Sequence, residues 1–152
     1  MADNFGLKIG IEGEKEFKKA LSEINQSFKV LGSEMKLVSS QFDKNDKSVQ
    51  ALSARNTVLN KEIDAQRQKI ETLRAALQNA SESFGENDRR TQNWQIQLNN
   101  AEAALNGMER ELSANERAIE SLSRQETEAA DATERLSQEI SRQEEELAGI
   151  DR

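Results

Sequence analysis

Val49–Leu77, VQALSARNTVLNKEIDAQRQKIETLRAAL, decides how this chain folds. Its large apolar residues are Val49, Leu52, Leu59, Ile63, Ile70, Leu73 and Leu77, with Asn56 and Gln66 completing an alternation of three- and four-residue steps. Only Val58 is large, apolar and off that stripe. A repeat averaging 3.5 residues marks one narrow line along a helix.

Extended both ways, the same frame runs without a slip from Leu21 to Ile150. Upstream it takes in Leu21, Ile24, Phe28 and Leu31; downstream it takes in Trp94, Leu98, Leu105, Met108, Leu112, Ile119 and Leu122. Of its 38 positions 29 are apolar, and off the seam the only large apolar residues are Val30, Leu37, Val58 and Ile96. A helix lying on a globular core carries a wider stripe, so this pattern belongs to helices that wrap around one another. The expected class is all-α, built from long coiled-coil helices.

Composition agrees. Hydrophobic residues make up 35% and aromatics 4%, enough for a thin seam but not a thick core. The absence of proline suits long uninterrupted helices. Charged residues are 32% of the chain with both signs interleaved and a net charge of −7, which describes a solvated helix surface.

Phe5–Glu12, FGLKIGIE, has a different rhythm: Phe5, Leu7, Ile9 and Ile11 alternate with Gly6, Lys8 and Gly10. This period of two predicts a short strand over 5–12, ended by Gly13, with residues 1–13 as a docking segment and 14–152 as the coiled-coil region. A frayed terminus is the plainer alternative.

Two interruptions resemble each other. Phe42–Leu52 can be laid over Phe84–Trp94 at an offset of 42 residues, with Phe, Asn-Asp, a basic residue and Gln recurring. Each supplies Asn-Asp where a new helix wants a cap, and Gly85 suits a left-handed helix terminus. Turns near 43–46 and 84–88 predict helices over about 14–41, 46–83 and 88–150. One helix running straight through both turns stays open, because the frame survives them.

If the last two helices fold back, partners whose numbers sum to 171 face each other. Leu77 then meets Trp94, Ile63 meets Met108, Asn56 meets Asn115, Asn45 meets Glu126, and Arg67 comes near Glu102. Asn45, Asn56, Asn87 and Asn115 are the expected register-setting polar residues, since buried asparagine is costly unless matched. A parallel rope of two or three chains, about 195 Å long, would instead set Glu111 near Glu116 and Glu139 near Glu144. That repulsion favours the hairpin. The seam residues are also the expected surface for homo-oligomerisation through two or three chains. The diluted seam after Ser123, ending on Ile150, reads as part of a longer helix.

No site chemistry emerges. The chain has no histidine or cysteine to act as base, nucleophile or soft metal ligand, and no glycine-rich loop for phosphate, so no catalytic, cofactor or metal residue is expected. No apolar run reaches membrane-spanning length, and no basic block enters the zipper as DNA binding of that type requires.

IGIEGEKEFKKALSEINQSFKVLGSEMKLVSSQFDKND (Ile9–Asp46) and FGENDRRTQNWQIQLNNAEAALNGMERELS (Phe84–Ser113) together resemble the N-terminal region of tail tape measure proteins. The similar members come from long-tailed phages and prophages of Gram-positive hosts. The resemblance implies a structural role: several copies lie in the tail lumen, their length sets tube length, and tube and tail assembly chaperone proteins gather on them in the host cytoplasm. It supplies no active-site residue. Family members are far longer, so the expectation is an N-terminal part of such a chain. A helical-hairpin chaperone or adaptor holding a protein client is the alternative, with Val30 and Leu37 as its only apolar candidates.

Overall fold

A computed structural model describes residues 10–150 as three helices, α1 (Ile11–Ser40), α2 (Val49–Phe84) and α3 (Arg89–Ile150). Most of the expected strand lies outside the described residues, and its last two residues, Ile11 and Glu12, are instead the first turn of α1. The reason is local. Gly10, at φ 66°, turns its carbonyl to accept from Glu14 N at 3.0 Å, and Glu12 and Glu14 sit at the positive end of the helix dipole. Gly13, read as a strand terminator, is buried inside the helix.

α2 is the middle helix and packs against both others. Asn25 accepts from Lys69 at 3.4 Å and Glu34 pairs with Lys61 at 3.4 Å, so α1 and α2 run antiparallel. Asn56 meets Asn115 and Arg74 meets Glu102, so α3 is antiparallel to α2 as well. Being flanked twice, α2 buries two stripes. One is the seam; the other is Ala51, Val58 and Ala65, at seven-residue spacing, with Asn79 two such steps further on. Asn79 bonds Gly10 in both directions (3.1 and 3.2 Å), which places this small-residue stripe against α1.

One buried cluster draws on all three helices. Leu21, Ile70, Leu73, Ala76, Ala80, Trp94, Leu98 and Ala101 form it, with Phe17, Leu77, Phe84 and Leu105 against it. We call this the head.

The two turns are built alike. Asp46 N donates to Asp43 O at 2.9 Å and Asp88 N to Gly85 O at 3.3 Å, 42 residues later. In each, the aspartate Oδ1 accepts the backbone N–H two residues on, from Ser48 and from Arg90, both at 2.8 Å. These bonds hold both carboxyls below the usual aspartate range, helped at Asp46 by the Ser48 hydroxyl and at Asp88, first of all, by the Arg90 side chain. The helix after the first turn starts at Val49, three residues later than the Asn-Asp reading implied. Ser48 is its cap, accepting from Ala51 N at 3.2 Å. Gly85 closes α2 at φ 91°, donating to Ser81 O at 3.0 Å.

Candidate assembly surface

Within the hairpin, Leu21, Leu31, Leu52, Leu59, Ile63, Ile70, Leu73, Trp94 and Leu98 are buried. Ile24, Phe28, Leu77, Leu105, Met108, Leu112, Ile119 and Leu122 are half-buried. Up to Leu122 the seam is therefore spent inside one chain.

Polar groups in that seam are matched. Asn115 Nδ2 donates to Asn56 Oδ1 at 2.8 Å, and Gln66 Nε2 to the Ala101 carbonyl at 2.8 Å. In the head, Trp94 Nε1 donates to Glu14 Oε1 at 2.6 Å, with both residues more than nine-tenths buried. Glu14 lies in the first turn of α1, where the helix dipole favours an anion. Arg90 stacks on the Phe84 ring at 3.5 Å and grips Asp88 through Nε and Nη2, so its guanidinium is held firmly protonated, with Glu14 adding to the attraction. Among the described residues every buried side-chain nitrogen and oxygen has a partner.

Two of the four asparagines expected to set register do otherwise. Asn45 and Asn87 are exposed in the turns, so Asn45 does not face Glu126, which is exposed on the far part of α3. The charged flank also differs: Arg67 pairs with Glu109 at 3.5 Å, while Glu102 belongs to Arg74 at 3.1 Å. Partners on this flank sum to 176, where the expected Arg67–Glu102 pair sums to 169, while the seam itself keeps 171 at Asn56 and Asn115. On the opposite flank Glu62 sits beside Glu111; burial first, and that like charge second, push its carboxyl above the usual glutamate range. Sequence reading missed Gln66, Asn79 and Glu14. Gln66 stands on the seam and could have been flagged, whereas the partners of Asn79 and Glu14 lie 69 and 80 residues away.

Beyond Leu122, α3 continues alone. Every residue from Ser123 to Ile150 is exposed, over a length of about 42 Å at 1.5 Å per residue. Leu136, Ile140, Leu147 and Ile150 are 61, 49, 61 and 77% exposed, on the same frame that is covered nearer the head. Elsewhere among the described residues only Ile11, Val30, Leu37 and Ile96 are large, apolar and exposed. Among the described residues no helix is long and apolar enough to cross a membrane, and no group of three acidic side chains could hold a metal. This bare arm is the candidate surface.

No protein family, no curated protein and no solved structure matches this chain.

Proposed function

We propose that this chain is a structural protein of phage tail assembly, the N-terminal coiled-coil part of a tape measure that sets tube length and scaffolds tube polymerisation. It acts in the host cytoplasm during assembly and ends in the tail lumen. The sequence resemblance over Ile9–Asp46 and Phe84–Ser113 suggests the family. The observation that carries the reading is the form of α3, 62 residues of unbroken helix anchored at one end in a compact head and bare at the other. An α-helix has a fixed rise per residue, so such an arm can serve as a ruler. Its mixed charges keep it from adhering to the wall of a tube. The head offers a rigid end on which tube and chaperone subunits can start.

The test is genetic. Duplicating the four heptads of the arm, Ser123–Ile150, in the phage gene should lengthen tails by about 42 Å, read by electron microscopy. Tails of unchanged length contradict the ruler role. The second reading, a chaperone or adaptor that clamps a client, draws on exposed Val30 and Leu37, seven residues apart on α1. Polar replacements there would abolish client binding in that case and leave tail length alone in the first.

A further inference from the structure

The arm carries an open seam. Leu147 and Ile150 stand bare on it, whereas Ile119 and Leu122, nearer the head, are half-covered. We propose that the arms of two copies pair antiparallel, in the register where residue numbers sum to 269, so that Leu147 and Ile150 of each copy seat on Ile119 and Leu122 of the other. This pairing goes beyond the tape-measure reading and does not depend on it.

Three observations select this occupant and direction. The first is continuity: the arm seam is the seam of the α2–α3 hairpin carried on without a slip, so a second helix can follow it past the point where α2 ends. In this register Ile150 meets Ile119 and Leu147 meets Leu122. The second is size matching. Ile140 lies opposite Ala129 and Leu136 opposite Thr133, so in the middle of the arm both large residues meet smaller ones. A parallel in-register pair would stack Ala129 on Ala129 and Ile140 on Ile140, alternating gap and excess.

The third is charge. Glu126 occupies a seam position. In parallel it would face its own copy, two carboxylates in an apolar line, whereas antiparallel it faces Gln143, whose amide can donate to it. On the flanks a parallel pair sets Glu139 against Glu144 twice, although Glu139 already holds Arg142 at 2.6 Å within its own helix. The antiparallel flanks, which follow the spacing seen in the hairpin, set Glu139 beside Ala132, Glu146 beside Gln125, Glu144 beside Ala130, and Ser137 beside its own copy. No like charges meet.

The chain has no cysteine, so single cysteines report geometry directly. The full chain should show twice its 17.1 kDa mass by light scattering at tens of micromolar and fall to one chain on dilution. Ser137→Cys should cross-link to a dimer with a short bis-maleimide. Gln143→Cys should not link to itself, but should link to Glu126→Cys when the two proteins are mixed. The double variant Ile140→Asp, Leu147→Asp should stay a single chain with its head intact by near-ultraviolet circular dichroism of Trp94. A single chain at all concentrations overturns the proposal. So does efficient self-linking of Gln143→Cys, which reports parallel arms, or a mass of three or more chains.

Discussion

Arg89–Leu122 and Ser123–Ile150 are successive halves of one helix in one heptad frame, and only the first is covered. The difference lies in what runs beside them. α2 begins at Val49, and antiparallel partners summing to 171 carry its cover no further than Leu122. The halves also differ in content: the covered one holds Trp94, Leu98, Leu105, Met108 and Leu112, while the bare one interleaves Glu126, Ala129, Thr133 and Gln143 with its leucines and isoleucines. A rich seam is consumed in folding the chain, and a dilute one is left exposed.

The comparison is broken most strongly by truncating the same residue type on either side of it. Leu73→Ala removes a fully buried side chain from the head and should cost about 2–5 kcal/mol. Leu136→Ala, in a dilute single chain, should change stability by no more than about 0.5 kcal/mol. Urea unfolding of both variants decides it; equal losses would mean that the arm is covered too.

A smaller effect sharpens the account of the hairpin register. Asn115→Ala strands the Asn56 amide in the seam and should cost about 1–3 kcal/mol. Replacing both by leucine should recover most of that loss, because two matched apolar groups no longer leave a polar one unpaired. No recovery would mean that Asn115 acts through another partner.

The smallest effect is electrostatic. The Glu62 carboxyl is raised in the folded chain by burial and by Glu111, so folding favours its protonated form. Its stabilising share is full below the ordinary glutamate value and fades as pH rises through the raised one. Glu62→Gln should therefore stabilise the chain at pH 7, by roughly a few tenths of a kcal/mol given its exposure, and make no difference near pH 4. Asp46 and Asp88 work in the opposite sense: their contributions are present above the ordinary aspartate range and fade as pH falls through their lowered values. A Glu62→Gln gain that persists at pH 4 would place its origin in packing.

Much of this architecture is legible in the sequence because spacing alone carries it. The three- and four-residue steps mark the helices, the Asn-Asp segments mark the turns, and the sum of 171 pairs Asn56 with Asn115. What is not legible has a common cause. The stripe by which α2 receives α1 consists of Ala51, Val58, Ala65 and Asn79, of which only Val58 is large and apolar enough to stand out off the seam, and one residue marks no stripe. Ile11 and Glu12 alternate like a strand yet are helical, because Gly10 and the acidic first turn start α1 there. Asn45 and Asn87 keep the seam count but sit where the backbone leaves the helix, so the frame assigns them a face that the turns remove.

The most direct test of the folded-back head is a distance within one chain. Spin labels at exposed Asn60 and Glu111, diluted with unlabelled protein, lie on facing helices in this fold. With helix axes about 8–10 Å apart, the account predicts an interspin distance under roughly 25 Å. A continuous helix would hold the two sites 51 residues and about 77 Å apart, and a distance of that size would contradict it.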